Sequence, residues 1–365
     1  MRNCVRTLST IGAAALIGIL QLGHSAKAQS PSATQIVMLG TGTPGPDPDR
    51  FGPATAVVVN GTAYLVDVGA GVVRRAKAAA LDKGIRALEP ISLRVVFVTH
   101  LHSDHTVGYP DLILTPWVIG RKVPLEVHGP KGIKAMTEHI LLAYGEDIKT
   151  RTNPHGNQRE FPQGAWVNAH EIAAGVVYKD ANVTVTAFTT KHAMESYGYR
   201  FDTSDRSIVI TGDTAPTQAT IDACNGCDVL IHEVNTLSAL AARPAMFQAF
   251  AAMYHTSTAQ LAELAAQAKP RLLVLYHASI WLRLRVNANF QIDAANSSPE
   301  ELLAEMQSRY GGKVVVVARP RCLLGPLSEA MRAAVRLDGC VSGLNNKAPC
   351  PEGLNSFCLG FGVFC

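Results

Sequence analysis

The sequence predicts an α/β (α+β) protein in which β-sheets are covered by helices. Short apolar runs typical of strands alternate with longer runs of helical periodicity along most of the 365 residues. In addition, histidine and aspartate, which bind metals, directly follow several of the apolar runs. The loops after different strands could therefore bring these side chains together. The same element order continues over roughly 290 residues, which is long for a domain but favours a single unit.

The predicted elements follow the chain in order. Apolar or alternating runs predict strands at 34–39, 54–59, 63–68, 93–98, 183–188, 208–211, 229–232, 272–276 and 314–318. Helical periodicity predicts helices at 72–81, 133–144, 258–268 and 298–310, and Thr258 and Ser298 are expected to cap the last two. The stretch 145–170 is the least regular, and we expect it to be an inserted loop near the mouth of a site.

The N-terminus has the pattern of a secretory signal peptide. Arg2 and Arg6 precede an apolar core at 8–20, and an A-x-A cleavage site ends at Ala28. This core is short for a membrane span, with an uncleaved anchor as the alternative, and no later stretch is apolar enough to span a bilayer. We therefore expect cleavage of residues 1–28, a main domain at 29–320 and a periplasmic or secreted protein.

The cysteines agree with export. Five of them crowd a C-terminal tail at 321–365, namely Cys322, Cys340, Cys350, Cys358 and Cys365. In an oxidising compartment the tail would be an appendage held by disulfides, and a zinc knuckle is the alternative. Cys224 and Cys227 form a C-x-x-C, which we interpret as a loop leading into a buried strand, with a redox-active pair as the alternative.

The net charge argues against a strongly basic nucleic-acid binder. The formal charge of the whole chain is +4, and removal of Arg2, Arg6 and Lys27 with the leader leaves +1. Because phosphate contacts dominate nucleic-acid affinity, this chain offers little to a long RNA.

The most informative segment is the loop that follows the predicted strand 93–98. His100, His102, Asp104 and His105 form an H-x-H-x-D-H pattern there. His100 and His102 are two residues apart, so one tight loop can aim both imidazoles at a single point. Asp104 and His105 would then face a second position close to the first. Neutral imidazole suits zinc and a carboxylate can complete a second site, so the pattern predicts a metal centre.

This loop and several other segments resemble the metallo-β-lactamase superfamily, and within it the ribonuclease Z and arylsulfatase branch. The similar segments lie in family order over roughly residues 35–320. They are the glycine turn at 40–44, the Asp-x-Gly segment at 67–69, the G-P-x-G turn at 129–132, His192 followed by G-Y-R at 198–200, the T-G-D-T motif at 211–214, the His-Glu pair at 232–233, the H-S-T-like segment at 255–258, and His277. The chain departs from the family at Val234 and Asn235, where Ala-Thr is usual.

The resemblance implies an αββα sandwich, in which two packed mixed β-sheets have helices outside, and a centre of two Zn²⁺ ions. One zinc would be held by His100, His102 and His192, the second by Asp104, His105 and His277, and Asp213 would bridge them. Another divalent transition metal is the alternative. A hydroxide bridging the two metals would be the nucleophile, as in other dinuclear hydrolases.

Three residues are expected to act in catalysis by the same resemblance. Asp104 would do so beside the metals, His255 would donate a proton to the leaving group, and Glu233 would orient His255. The alternatives are a helix-capping or surface role for His255 and a merely solvated carboxylate for Glu233. Asp67 is expected to brace the metal loop through hydrogen bonds.

The substrate is less defined than the chemistry. Family members that cut transfer RNA carry a long flexible arm after the G-Y-R segment, but here Asp213 follows His192 by only 21 positions. Trp281 stands where the family often has an arginine. We therefore expect a small phosphodiester or aryl sulfate ester as substrate, and transfer RNA as a poor one. The alternatives are a ribonuclease Z-like phosphodiesterase on RNA, a lactone or β-lactam hydrolase, and a non-catalytic zinc module. A homodimer is compatible with the sequence.

Overall fold

Two mixed β-sheets form a sandwich, as the resemblance implied. The computed structural model describes residues 33–47, 50–153, 161–278, 284–286, 292–294, 298–317 and 321–323. Its strands are β1 (Thr34–Gly40), β2 (Ala54–Val59), β3 (Thr62–Val66), β4 (Val95–Phe97), β5 (Leu125–Gly129), β6 (Val167–Glu171), β7 (Gly175–Lys179), β8 (Val183–Thr189), β9 (Tyr197–Thr203), β10 (Ser207–Ile210), β11 (Val229–Glu233), β12 (Leu272–Tyr276), β13 (Leu284–Val286), β14 (Ile292–Ala294), β15 (Val314–Val316) and β16 (Arg321–Leu323). The order in the first sheet is β16-β1-β2-β3-β4-β5-β6, and in the second β15-β12-β11-β10-β9-β8-β7, while β13 and β14 pair separately.

The described residues form ten α-helices, and several of them pack on the outer faces of the two sheets. They are α1 (Val72–Lys83), α2 (Ser103–Thr106), α3 (Tyr109–Val118), α4 (Ile133–Ala143), α5 (Gly145–Thr152), α6 (Gln218–Cys224), α7 (Leu237–Ala241), α8 (Ala245–Tyr254), α9 (Thr258–Ala268) and α10 (Pro299–Gln307). Helices α1, α3 and α4 share an apolar cluster with the first sheet. Helices α6, α9 and α10 share another with the second sheet.

A third apolar cluster fills the space between the sheets. Phe97 from β4 is at its centre, and its ring lies 5.3 Å from that of Tyr199 and 5.4 Å from that of Phe201, both on β9. Aromatic pairs at such separations contribute about 0.5–1.5 kcal/mol beyond their buried area. This packing holds the end of β4, and therefore the loop that follows it, against the second sheet.

The predicted strands and helices are all present, with ends shifted by a few residues at most. Ser298 caps α10 as expected, but the prediction for Thr258 was wrong. Ser257 caps α9 in a capping box with Gln260, and the Thr258 hydroxyl donates to Glu305 instead. The serine is preferred because its side chain reaches the backbone N–H of Gln260 from the non-helical position before the first turn.

The prediction of a loop over 145–170 was wrong in part. Helix α5 occupies Gly145–Thr152, and β6 begins at Val167. None of the residues of α5 is buried, so the helix lacks the apolar periodicity by which it could be recognised. Strands β6 and β7 were missed for a similar reason, because each is the last strand of its sheet and is largely exposed. The largely buried strands β5 and β9 were not predicted either.

The C-x-x-C segment forms a disulfide between Cys224 and Cys227. Both side chains are buried in the cluster that α9 shares with the second sheet. The two residues between them have left-handed backbone, at Asn225 and Gly226, and the loop leads into β11 as interpreted. Burial keeps the disulfide away from an exchange partner, so the structure favours a structural role over a redox-active one.

Some sequence predictions lie outside the described residues. These are the signal peptide, the tail beyond residue 323 and Trp281. Strand β16 pairs with β1, so the first residues of the predicted tail belong to the first sheet. Within the described ranges, no helix is both long and apolar enough to cross a membrane.

His128 on β5 is buried where β6 and β7 close one side of the sandwich. Its ring stacks on Phe97 at 5.2 Å and on His170 at 4.7 Å, and it meets Tyr178 of the other sheet edge-on. Its Nε2 is buried without a hydrogen-bond partner in the part of the chain that the structure describes. Burial, together with the neighbouring His170, lowers the pKa of His128 from 6.5 to about 4, and Glu126 opposes the shift.

We expect His128→Phe to make the fold less sensitive to acid. The unfolded chain binds a proton at His128 near pH 6.5, whereas the folded protein resists it down to about pH 4, so stability is lost as the pH falls through this window. Phenylalanine removes that loss and keeps the stacked ring. The measurement is the free energy of unfolding by urea at pH 7 and pH 5, with His139→Phe on the exposed face of α4 as control. An unchanged pH dependence in His128→Phe would contradict this assignment.

Candidate metal centre

Seven side chains converge at one edge of the sandwich, and all seven were predicted to bind metals. They are His100, His102, Asp104 and His105 after β4, His192 after β8, Asp213 after β10 and His277 after β12. Strands β10, β11 and β12 are parallel, and β9 is antiparallel to both β8 and β10. The carboxyl ends of β8, β10 and β12 therefore lie at the same edge, which brings distant parts of the sequence together.

His100, His102 and His192 form the first cluster of ligand atoms. Nε2 of His100 and Nε2 of His192 each lie 3.0 Å from Nδ1 of His102. Adjacent ligands of one tetrahedral zinc, with bonds near 2.0–2.1 Å, are about 3.3 Å apart. The three nitrogens therefore have the spacing that a single metal ion requires.

Asp104, His105 and His277 form the second cluster. Nε2 of each of these histidines lies 3.6 Å from Oδ2 of Asp104. Oδ1 of Asp213 is 3.4 Å from Nε2 of His105 and 3.2 Å from Nε2 of His277. Asp213 also groups with His100, a member of the first cluster, so its carboxylate lies between the two.

The residues of this centre fit divalent metal ions. Asp104 Oδ2, His105 Nε2 and Asp213 Oδ1 are buried, and none has a hydrogen-bond partner among the described residues. An unsatisfied buried polar atom costs about 1–3 kcal/mol, and a cation among these three atoms would satisfy them together. Burial also lowers the pKa of His100 well below its usual range and that of His192 to about 4, so both rings are neutral and able to bind a metal.

Outer hydrogen bonds fix the orientation of four of the histidine rings. His105 donates from Nδ1 to Asp67 at 2.8 Å, His192 donates from Nδ1 to the Tyr254 carbonyl at 3.2 Å, His277 donates from Nδ1 to the Gly42 carbonyl, and His100 Nδ1 pairs with the Thr99 hydroxyl at 3.0 Å. Each of these bonds leaves Nε2 to face the centre. Such partners set the tautomer and raise the basicity of a ligand.

Asp67 braces the metal loop, as predicted. Its Oδ1 accepts hydrogen bonds from the backbone N–H and the hydroxyl of Thr99, and its Oδ2 accepts from His105. Asp67 and His277 both have left-handed backbone, with φ of 61° and 45°. This conformation is unfavourable for residues other than glycine and is retained mainly where function requires it. Gly69 allows the Asp67 loop to approach, since a Cβ there would lie 2.6 Å from the Asp104 carbonyl oxygen.

We expect Asp67→Asn to weaken metal binding without unfolding the protein. The amide retains the shape of the carboxylate but removes the charge that holds the Nδ1 proton of His105. Loss of an outer partner of this kind typically costs about 10–100-fold in metal affinity. Competition with a fluorescent chelator measures the change, and Asp82→Asn on the exposed side of α1 is the control. Equal metal affinity in the two variants would show that Asp67 does not support the site.

His255 and Glu233 form a buried pair beside the centre. His255 Nδ1 donates to Glu233 Oε1 at 2.8 Å, and the backbone N–H of Thr214 donates to the same oxygen at 2.9 Å. Glu233 is only 1% exposed, so the alternative of a solvated carboxylate was wrong. Burial raises the pKa of Glu233, with His255 opposing the shift. Burial alone would lower the pKa of His255, but the charge of Glu233 outweighs it and raises the pKa to about 9.

The position of His255 suits a group that acts on a substrate. Its ring lies 5.2 Å from that of His192, and His255 groups with His192 and Asp213 around one point. Because Nδ1 is held by Glu233, the proton on Nε2 is the one that can reach a bound molecule. His255 follows the last residue of α8, where its backbone N–H donates to the Ala251 carbonyl, so its side chain is not required for capping.

A cavity of about 440 Å³ opens beside Asp104. Residues from the glycine turn and from the metal loop line it, including Pro44, Arg50, Phe51, Ser103 and Val107. Arg50 donates from Nη2 to the Ala278 carbonyl, next to the ligand His277. Its Nε is buried and has no hydrogen-bond partner within the described ranges. The cavity thus places a guanidinium group beside a metal ligand.

Sequence reasoning missed four residues that support the site: Thr99, Thr214, Arg50 and Tyr254. The first two contribute through a hydroxyl and a backbone N–H beside the recognised motifs, and adjacency to those motifs was the available signal. Tyr254 contributes a backbone carbonyl, for which the sequence contains no signal.

Comparisons with known proteins agree with this geometry. A family model described as "Beta-lactamase superfamily domain" matches residues 62–278. A protein named ribonuclease Z from Mycobacterium sp. (strain KMS) is 34% identical over 274 residues, which cover 73% of this chain and 92% of that protein.

Solved structures show the same fold at lower identity. The metallo-β-lactamase fold protein YhfI from Bacillus subtilis has a TM-score of 0.57 at 16% identity, covering 81% of this chain and 100% of that chain. The short form of human tRNase Z has a TM-score of 0.52 at 23% identity, covering 67% of this chain and 92% of that chain. At these identities the likeness concerns the fold alone.

Proposed function

Because the chain belongs to the metallo-β-lactamase superfamily, in its ribonuclease Z-like branch, we propose that this metal-dependent hydrolase is a dinuclear zinc phosphodiesterase. The observation that carries the proposal is the arrangement of two ligand clusters around Asp213 with the His255–Glu233 pair beside them. Zinc is the first candidate because five of the seven ligands are histidines.

The protein residues have distinct roles in the proposed reaction. Two metal ions in such a centre supply an ionised water and positive charge for the transition state. Asp104, one of the ligands, faces the cavity and so helps to define where the reacting ester lies. His255 holds a proton on Nε2 and donates it to the oxygen of the leaving group. Glu233 keeps His255 in that tautomer and stabilises its charge.

RNA is the phosphodiester that the relatives favour. The Mycobacterium relative is named ribonuclease Z, and this name supports RNA over the aryl sulfate esters expected from the sequence. It therefore favours the ribonuclease Z-like phosphodiesterase, which was the alternative expectation, over the small ester that was the leading one. Arg50 lines the cavity and supports an anionic substrate, whether RNA or a smaller ester, since a guanidinium pairs well with phosphate oxygens.

A small phosphodiester is the second candidate, and one structural observation favours it. Strands β9 and β10 are joined by residues 204–206 alone, so no arm extends from this point of the sandwich. Without an arm, little surface is available for the body of a folded transfer RNA. We propose that short single-stranded or small phosphodiesters are cut in preference to precursor transfer RNA.

Export of the protein remains part of the proposal. The signal-peptide pattern at residues 1–28 supports it, and so does the disulfide between Cys224 and Cys227, a bond that is rare in cytosolic proteins.

The proposal is tested by a substrate comparison with the zinc-loaded chain. The substrates are bis(p-nitrophenyl) phosphate, p-nitrophenyl sulfate, a short single-stranded RNA and a precursor transfer RNA. We expect hydrolysis of the first and third, slow or absent hydrolysis of the sulfate, and little processing of the precursor. Faster hydrolysis of the sulfate would overturn the phosphodiesterase proposal, and efficient trimming of the precursor would overturn the preference for short substrates.

We also expect Arg50→Gln to raise the KM for bis(p-nitrophenyl) phosphate by about tenfold, the effect of losing a hydrogen bond to a charged group. The kcat should change less, because Arg50 lines the cavity and is not a ligand. Steady-state kinetics at two salt concentrations measure the change, and Arg74→Gln on the exposed face of α1 is the control. An unchanged KM would exclude Arg50 from substrate binding.

A further inference from the structure

Helix α8 leads directly to His255 and exposes an unusual amount of apolar surface. Its sequence from Ala245 to Tyr254 contains no charged residue, and Ala251 is its only buried residue. The side chains of Met246, Phe247 and Met253 are 85%, 37% and 49% exposed. A contiguous exposed apolar surface beside a catalytic centre is typical of a binding site.

A row of aromatic rings runs along this helix toward the metal centre. Phe247, Phe250 and Tyr254 are spaced three and four residues apart, so they share one face. The ring centres of Phe247 and Phe250 are 6.3 Å apart, and those of Phe250 and Tyr254 are 5.1 Å apart. The row then reaches the reaction groups, with Phe250 at 5.7 Å from His255 and Tyr254 at 6.1 Å from His192.

A positive charge stands at the far end of the row. The guanidinium carbon of Arg243 lies 4.6 Å from the ring centre of Phe247, in a cation–π contact. The row therefore begins at the proton donor, continues over two partly exposed phenylalanine rings and ends at a cation. This order matches a ligand with a reacting ester at one end and planar, apolar groups next to it.

We propose that Phe250 and Phe247 are positioning residues that stack a planar ring of the substrate, a nucleobase or an aryl group, beside the scissile ester. This inference rests on the proposed phosphodiesterase and specifies which phosphodiesters it accepts. Because His255 protonates the leaving group and Phe250 adjoins His255, the stacked ring belongs to the leaving-group side. Stacking on aromatic side chains tolerates any base, but it requires a base that is not paired in a duplex.

The inference is tested by ligand pairs that differ only in the ring. AMP is compared with ribose 5-phosphate, and phenyl phosphate with methyl phosphate, by calorimetric binding to the full zinc-loaded chain. We expect each ring-bearing ligand to bind about tenfold more tightly than its partner, in the range measured for one stacked base. A preference in the AMP pair alone identifies a nucleobase, and a preference of equal size in both pairs identifies any planar ring.

Two matched variants separate stacking from general apolar contact. Phe250→Leu retains an apolar side chain but removes the ring, and we expect it to reduce the preference for AMP over ribose 5-phosphate to less than about threefold. Met246→Leu, on the same helix but outside the aromatic row, should retain the full preference. Binding of ribose 5-phosphate itself should be equal in both variants, which also shows that both are folded.

The outcomes distinguish this inference from the proposed function. Equal binding of AMP and ribose 5-phosphate to the unmodified chain would overturn the stacking role, even if bis(p-nitrophenyl) phosphate is hydrolysed. An unchanged preference in Phe250→Leu would also overturn it. Conversely, a ring preference that depends on Phe250, together with no phosphodiester hydrolysis, would support the stacking surface and refute the phosphodiesterase.

Discussion

Asp213→Ala is expected to lose at least one metal ion per chain and nearly all hydrolysis. Its Oδ1 lies within 3.4 Å of His105 Nε2 and His277 Nε2, and its carboxylate also groups with His100. Removal of a partner outside the ligand set already costs about 10–100-fold, so removal of the shared carboxylate should exceed that range. Metal content is measured by mass spectrometry, and activity with bis(p-nitrophenyl) phosphate.

An exposed aspartate, Asp222, provides the control for this experiment. Asp222→Ala on α6 removes an exposed carboxylate that accepts a hydrogen bond from Gln218, and it should retain both metal content and rate. Full metal content with full activity in Asp213→Ala, or full activity of the unmodified chain after thorough chelation, would refute the dinuclear mechanism.

His255→Ala is expected to retain its metal ions but to lose about 10²–10⁴-fold in rate on a substrate with a poor leaving group, the usual contribution of general acid catalysis. The loss should be smaller for nitrophenyl esters, because nitrophenolate is a stable anion that needs little protonation. Glu233→Gln should show the same dependence on the leaving group with a smaller loss, since it weakens the hydrogen bond that orients His255.

The metal content of His255→Ala decides whether His255 is a proton donor or a metal ligand, because its position allows both roles. The residue groups with His192 and Asp213 closely enough to be a ligand, so loss of metal in His255→Ala would assign it to the centre. Equal rate losses on good and poor leaving groups would likewise exclude a proton donor. His139→Ala, on the exposed face of α4, is the control for removal of a histidine.

The candidate ligands could be predicted from the sequence because each lies in a short motif at the end of an apolar strand. The segment from His100 to His105 contains four of the seven within six residues, and its spacing alone indicates two neighbouring metal points. His192, Asp213 and His277 depended on resemblance, since their proximity arises only when β8, β10 and β12 end at the same edge.

The sequence by itself determined nine of the strands, four of the helices and the metal-binding loop, because periodicity and ligand spacing are local properties of a chain. The class of chemistry came from the resemblance of several such local motifs to a known family. Only the tertiary structure decided that Glu233 is buried against His255, that Arg50 lines the cavity beside Asp104 and that the rings of α8 reach His192. These relations join residues far apart in the chain, and they depend on how two sheets pack and which strand ends meet. Burial and contact at such distances are set by that packing, which no local pattern of residues contains.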